Sequence, residues 1–350
     1  MTTVVGIDGI GGNTTKEGPP YLRALEGARI ARLRDVEYEL ALPLDRELPA
    51  KRPSIVRAIP ATSLEDAIAY FSENNLPTVT AFNTQEGLPK SLRKRIAGIK
   101  RIPLAAELPR ECGGTVLFLD VGGNSDMCTV KDIGPPPDPT DVGAVRHYFD
   151  KLVSIYMPGK QYEKNARDMV HFARLGSLYM EILRGVARPR VGLFNIGVEE
   201  GKGNRFIHIC HELLQQEKRT AGLNYVGFAE PEAIEETDVI VIDGFTGNSV
   251  LKGIEKAVTL VKSTIKRSLV GKLVSCFSRT KTDPSDYSGA YLLGLRDIIV
   301  KIHGDAKAKG FATAYRKARE FAQPTRFNRQ SYSNLSAAIE AAYAARYAEK

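Results

Sequence analysis

Lys202 is set between two glycines in Glu199-Glu200-Gly201-Lys202-Gly203-Asn204, directly after the apolar run Val191-Gly192-Leu193-Phe194-Asn195-Ile196-Gly197. Glycine neighbours at a strand exit leave a lysine exposed to an anion and let backbone N–H groups approach it. A solvated loop lysine has the same local sequence, so both readings stand. Asn204 can bind ligand or cap the next helix.

The same composition recurs at three further exits. Val239 to Ile242 leads into Asp243-Gly244-Phe245-Thr246-Gly247-Asn248, with Lys252 one turn further on. Val4 to Ile7 leads into Asp8-Gly9-Ile10-Gly11-Gly12-Asn13, and Val116 to Leu119 into Asp120-Val121-Gly122-Gly123-Asn124. A fifth exit reads Thr80-Ala81-Phe82-Asn83-Thr84, where an Asn-Thr pair is also ordinary turn chemistry. His303 follows Ile298-Ile299-Val300-Lys301-Ile302. It can shuttle a proton near neutral pH or serve as a hydrogen-bonded structural histidine.

These exits point to a site for a small polar anion. Asp8, Asp120 and Asp243 cannot all touch it, since like charges repel, so some must orient donors or cap helices. No Ser-His-Asp order, G-x-S-x-G elbow or metal-ligand cluster is present in the sequence. His208 and His211 lie three apart on a predicted helix without a third ligand, so no metal is expected, and no cofactor either.

The elements that hold such exits follow from the patterning. Short unbroken apolar runs suit strands buried on both faces of a mostly parallel sheet, whose ligand crevice lies beyond the strands' carboxyl ends. Helices are expected over 21–34, from the capping signal at Ser63 to Leu76, and over 167–186, 203–218, 305–321 and 334–350. Val36 to Leu42 alternates as a half-exposed strand with Val36, Tyr38, Leu40 and Leu42 buried. Strands are also expected at 77–84, 190–196, 238–243 and 298–302. Gly134-Pro135-Pro136-Pro137-Asp138-Pro139 breaks the alternation, so 128–166 reads as a surface insertion carrying a short helix from Val142 to Tyr156.

At 350 residues, with 43% hydrophobic and 26% charged residues, the chain reads as a single soluble α/β domain over 1–350. Its start has no secretory pattern and no stretch reaches a membrane span, so a cytoplasmic location is expected. Cys112, Cys128, Cys210 and Cys276 are scattered and read as reduced thiols.

The net charge of +8 is concentrated between Lys252 and Lys281, where six Lys and two Arg face one Glu. That concentration argues against a general nucleic-acid groove. Ile254, Val258, Val261, Ile265, Leu269, Leu273 and Phe277 recur at helical spacing through the same stretch, giving a basic amphipathic helical segment over 250–283. It suits a dimer interface, an anionic membrane surface or an acidic partner, and an ordinary core helix with a solvated face reads alike.

Four segments together resemble the PlsX family, the phosphate acyltransferases that convert acyl-acyl carrier protein and inorganic phosphate into acyl phosphate. They are Arg190 to Asn204, Asp238 to Lys252, Tyr287 to Gly304, and Val116 to Asp126. Asp8-Gly9-Ile10-Gly11-Gly12-Asn13 is similar to the family's D-A-M-G-G-D, and Ala173, Gly176, Ser177 and Tyr179 fit its helix. The resemblance implies a three-layer α/β/α sandwich like the isocitrate and isopropylmalate dehydrogenase superfamily. The basic segment at 250–283 would project from it for dimerisation and peripheral membrane contact, and 323–350 would form a helical C-terminal extension.

It further implies catalytic roles for Lys202 and Asn204. Substrate or phosphate binding would fall to Asp8, Gly11, Gly12, Asn83, Thr84, Asp120, Asn124, Asn195, Asp243, Gly244, Gly247, Asn248, Lys252 and His303. The partners implied are acyl carrier protein, inorganic phosphate, an anionic membrane and a second copy of the chain. Phe82 and Gln85 stand where the family has glycines. A second reading follows from that departure: a non-catalytic relative that binds the carrier protein or a membrane as a scaffold. A nicotinamide dehydrogenase is not supported, because Gly9-x-Gly11-Gly12 is not G-x-G-x-x-G.

Overall fold

The computed structural model describes residues 2–50, 56–81, 128–130, 152–155, 162–230, 236–243, 246, 247, 250, 285 and 288–347. The first part of the chain comprises β1 (Thr3–Asp8), α1 (Pro20–Ala31), β2 (Val36–Pro43), β3 (Val56–Ala61), α2 (Leu64–Glu73) and β4 (Thr78–Thr80). Next come β5 (Cys128–Val130), β6 (Leu152–Ile155), α3 (Tyr162–Arg184), β7 (Val191–Phe194), α4 (Arg205–Thr220), β8 (Tyr225–Ala229) and β9 (Val239–Asp243). The chain closes with β10 (Ala290–Leu292), β11 (Ile299–Lys301), α5 (Ala308–Ala322), β12 (Thr325–Phe327), β13 (Gln330–Tyr332) and α6 (Leu335–Tyr347).

Among the described residues, eleven strands form one sheet in the order β3-β2-β1-β4-β11-β10-β5-β6-β9-β7-β8. Pairing is parallel from β3 to β11 and again from β6 to β8. Between these halves the β11–β10, β10–β5 and β5–β6 pairs are antiparallel. Three reversals leave the two parallel halves running in opposite directions. Their carboxyl ends therefore leave the sheet at opposite edges, and the strand exits of the sequence fall into two groups.

Burial follows from the side-chain alternation of strands. Val5 and Ile7 of β1 face one layer, where they join Ala24, Leu25 and Ala28 of α1 and Phe311 and Tyr315 of α5. On the other face Phe71 of α2 packs with Ala41 and Ala61. This places the sheet between two helical layers. Val239, Ile240, Val241 and Ile242 of β9 are all buried, as an unbroken apolar run requires of a strand with both faces covered. The α2 start is capped as its sequence predicts, with Ser63 Oγ accepting from the Asp66 amide at 3.2 Å.

Two segment expectations are corrected. Residues 128–166 are not wholly a surface insertion, because Cys128–Val130 and Leu152–Ile155 are strands in the middle of the sheet, and the latter pairs in parallel with β9. The helix expected up to Tyr156 gives way to this strand, since ladder pairing with β9 overrides a weak local helical pattern. Nor is 323–350 only a helical extension: it opens with the β12–β13 hairpin. Leu335, Ile339 and Tyr343 of α6 then belong to the main core. The segment 250–283 lies outside the described residues except for Val250. No described helix is long and apolar enough to cross a membrane.

Candidate functional site

The first exit is organised by Asp8, the last residue of β1, which is fully buried. Its Oδ1 accepts the amides of Ile10 and Gly11, both at 2.8 Å. Its Oδ2 accepts the Thr80 hydroxyl at 3.0 Å and lies 3.4 Å from the Ala81 amide. Burial holds this carboxyl above its ordinary range, against the opposing pull of the four donors. A Cβ on Gly11 would meet Asp8 Oδ2 at 2.5 Å, so only glycine lets the loop close over the carboxylate.

The amides of Gly9 and Asn13 are also taken, by the carbonyls of Ala41 and Gly304, both at 3.1 Å. Most of the backbone donors of this exit are thus spent within the protein, and both carboxylate oxygens of Asp8 accept from the two loops. Gly12 packs against Pro20 and the Gly304 carbonyl.

Arg23 of α1 ties this exit to the one after β11. Only 1% exposed, its guanidinium donates to the carbonyls of Asn13 and Ala306, and to that of Gly304 at 3.2 Å. Asn13 Nδ2 donates to Asp305 Oδ1 at 2.8 Å. His303 is exposed, its Nδ1 accepting the Asp305 amide at 3.2 Å and lying 3.8 Å from Asp305 Oδ2. With Nδ1 accepting, the neutral ring carries its proton on Nε2, the nitrogen able to donate outward.

The second group lies at the carboxyl ends of β7 and β9. Asn195 is 3% exposed, and its Nδ2 donates to the Lys202 carbonyl at 3.0 Å, closing the loop 196–203. Its Oδ1 has no hydrogen-bond partner among the described residues and sits under Gly203, where a Cβ would approach it to 2.6 Å. Gly203 also has φ +97°, a left-handed conformation that favours glycine. The Lys202 amide donates to the Glu199 carbonyl at 3.0 Å, and the Val198 amide to Glu230 Oε1 at 2.9 Å. The lysine side chain is exposed.

Asn204 Oδ1 accepts the Ile207 amide at 3.0 Å and caps α4, so the capping alternative holds for this oxygen. Asp243 Oδ1 accepts the Thr246 amide at 2.9 Å in the same manner. Gly247 is buried. Lys202 therefore stands at the positive end of a 16-residue helix, the electrostatic setting for an anion.

The structure thus brings Asp8, Gly11, Gly12 and His303 together at one sheet edge and Asn195, Lys202, Asn204, Asp243 and Gly247 at the other. Asn83, Thr84, Asp120, Asn124, Gly244, Asn248 and Lys252 lie outside the described residues. Arg23 and Asp305 were not singled out in the sequence. The signal for Arg23 was its place on the apolar stripe of α1 with Gly27 and Ala31, where a solvated arginine would not sit.

His211 is a packing residue: its Nδ1 lies 2.7 Å from the Tyr225 hydroxyl and its ring stacks on Phe228 at 4.4 Å. Cys210 is a buried free thiol, held above its usual range by burial and then by the charge of Asp243.

Comparison with known proteins agrees with the motif reading. A family model described as fatty acid synthesis protein matches residues 153–329. Phosphate acyltransferases of Staphylococcus aureus strains MSSA476 and MW2 are each 32% identical over 238 residues, covering 64% of this chain and 60% of theirs. The chain thus spans 60% of the length of these curated relatives.

Among solved structures, a branched-chain phosphotransacylase from Enterococcus faecalis V583 aligns with a TM-score of 0.49 at 9% identity, over 91% of this chain and 98% of that one. A putative 4-hydroxythreonine-4-phosphate dehydrogenase from Salmonella typhimurium aligns with a TM-score of 0.46 at 11% identity, over 91% and 99%. The family match covers more than half of the sequence and takes in the exits after β7, β9 and β11, and on that ground the chain belongs to the fatty acid synthesis protein family, the PlsX family.

Proposed function

We propose that this protein transfers a fatty acyl group from acyl-acyl carrier protein to inorganic phosphate, giving acyl phosphate for phospholipid synthesis. The observation that carries the reading is the presentation of Lys202, exposed on a loop clamped by Asn195 and set at the capped N-terminus of α4. The name carried by the Staphylococcus aureus relatives supports the same chemistry.

In this reaction a phosphate oxygen attacks the thioester carbonyl carbon. The new C–O bond forms, the C–S bond breaks, and the carrier leaves as a thiolate that takes a proton from solvent. Phosphate is already anionic at neutral pH and a thiolate leaves readily, so the protein's task is positioning and charge stabilisation. Lys202 and the α4 terminus supply positive charge to phosphate and to the developing oxyanion. Ile196 and Val198, 78% and 58% exposed beside the lysine, offer apolar surface to an acyl chain. The basic segment at 250–283 is assigned to a peripheral contact with anionic membrane and to homodimer formation, on its composition alone.

The test mixes purified protein with acyl-acyl carrier protein and phosphate and traps acyl phosphate with hydroxylamine. Product is expected, and Lys202→Ala should lower its rate by about 10²-fold or more. A folded protein that binds the carrier yet forms no product would instead support the scaffold reading suggested by Phe82 and Gln85.

A further inference from the structure

Asn195 and Glu230 stand side by side, each directly after its strand, at the carboxyl ends of β7 and β8. These strands run parallel with Phe194 opposite Ala229, and the Asn195 backbone amide donates to the Ala229 carbonyl at 3.1 Å. Both residues reach the lysine loop, at opposite shoulders. Asn195 Nδ2 donates to the Lys202 carbonyl at 3.0 Å, and Glu230 Oε1 accepts the Val198 amide at 2.9 Å. Val198 and Glu230 are 32 residues apart in the chain, so the second bond is a tertiary strap rather than a local turn.

The strap bears on the lysine through Gly197. This glycine is buried, and a Cβ placed on it would lie 2.8 Å from Lys202 Cγ and 3.3 Å from Lys202 Cβ. The stem of Lys202 therefore packs on the Gly197 backbone, and the peptide joining Gly197 to Val198 carries the N–H that Glu230 holds. From carboxylate to lysine stem the path is a hydrogen bond, a peptide unit and a van der Waals contact.

Apolar packing does not fix this loop. Ile196 and Val198 are 78% and 58% exposed, so their burial contributes little, and residues 199–202 are exposed as well. Polar contacts decide the position, and a hydrogen bond to a carboxylate is the stronger kind. A negative charge beside a phosphate site is electrostatically adverse. What Glu230 supplies is thus its acceptor atom.

We infer that Glu230 is a positioning residue for acyl transfer. Through the Val198 amide it fixes the peptide that supports Lys202, and with it the place where the ammonium meets phosphate. The inference rests on the assignment of phosphate to Lys202.

Glu230→Ala and Glu230→Gln separate acceptor from charge, because the carboxamide oxygen of glutamine still accepts the amide. For Glu230→Ala, kcat/KM for phosphate should fall about fivefold to tenfold, with thermal unfolding little changed. Glu230→Gln should match wild type or bind phosphate more tightly. In a Lys202→Ala background the loss of Glu230 should have no further effect, since the two act as one unit. Hydrogen exchange of the free protein reads the strap without turnover: the amides of residues 199–202 should exchange faster in Glu230→Ala than in wild type or Glu230→Gln. Unchanged exchange of 199–202 in Glu230→Ala overturns the inference. So does faster exchange with kcat/KM for phosphate at the wild-type value, a Glu230→Gln that behaves as Glu230→Ala, or a Glu230→Ala loss that persists in full without Lys202. A wild-type chain that forms no acyl phosphate, yet whose exchange follows the expected pattern, removes the acyl-transfer reading and leaves the strap in place.

Discussion

The Thr80 hydroxyl donates to Asp8 Oδ2 at 3.0 Å, joining the ends of the neighbouring parallel strands β4 and β1. One buried carboxylate thereby sets two loops at once, because its other oxygen holds Ile10 and Gly11. A similar device recurs where β7 ends, with the neutral Asn195 beneath the lysine loop. The Asp or Asn at the end of these strands thus organises the loop that follows it.

Asp8→Ala should cost about 3 kcal/mol in urea unfolding, since it leaves the Ile10 and Gly11 amides without an acceptor. Asp8→Asn should be much milder. Its amide oxygen still accepts both amides, and Thr80 can reverse its hydroxyl to accept from the new NH₂.

The same pair carries a pH signature. Burial places the folded pKa of Asp8 above its unfolded value of 3.8, so the folded state holds the proton longer. Asp8's contribution to stability is therefore greatest below 3.8 and is lost as pH rises through the raised folded value. The stability difference between wild type and Asp8→Asn should shift in that direction across this window. An unchanged difference from pH 3 upward would refute it.

Arg23→Met should destabilise by about 3 kcal/mol, because it unpairs the carbonyls of Asn13 and Ala306 and leaves that of Gly304 with the Asn13 amide alone. Arg23→Lys should recover only part of this loss, since a single ammonium cannot span the two loops as a guanidinium fork does. Amide exchange should accelerate in residues 10–13 and 303–306 in both variants, the more so in Arg23→Met.

Asn195→Asp puts an acceptor where Nδ2 donates to the Lys202 carbonyl, so the loop should loosen at neutral pH. A protonated carboxyl can donate again. Burial raises the carboxyl's pKa, so the variant should regain stability and protection of residues 196–203 as pH falls through that value. Phosphate-dependent turnover relative to wild type should recover in parallel. A deficit that does not change with pH would show that the Nδ2 hydrogen bond is not what positions Lys202.

His211 has its pKa lowered, first by burial and then by the neighbouring His208. A depressed histidine contributes stability above its unfolded value of 6.5, which is lost as pH falls through the folded value. His211→Gln should flatten the stability profile on the acid side of 6.5, as read by thermal unfolding in matched buffers.

Much of the scaffold was legible in the sequence, because β1, β7 and β9 are buried apolar runs and α2 begins at a capping serine. Asn204 was open to two readings, and the geometry assigns its Oδ1 to the cap. Less visible were the edge strands. β3 carries Arg57 and Pro60, and β8 carries Gly227 with a register shift at β7, so neither presents an apolar run. The reversal between the halves rests on β5 and β10, three residues each, too short to show a period. Arg23 was hidden for another reason: two of its three partners are the backbone carbonyls of Gly304 and Ala306, 281 and 283 residues away, which no local pattern encodes.

The place of β11 has a consequence for how the molecule is made. β4 pairs with β11, and α1 packs on α5, so the first 81 residues lack a sheet neighbour and a helical cover until the last quarter of the chain exists. Such long-range closure is slow relative to local helix formation. An emerging N-terminal segment would expose Val79 and the apolar face of α1, surfaces that invite chaperones or misassembly. Its native form is thus reached only after the ribosome has released β11 and α5.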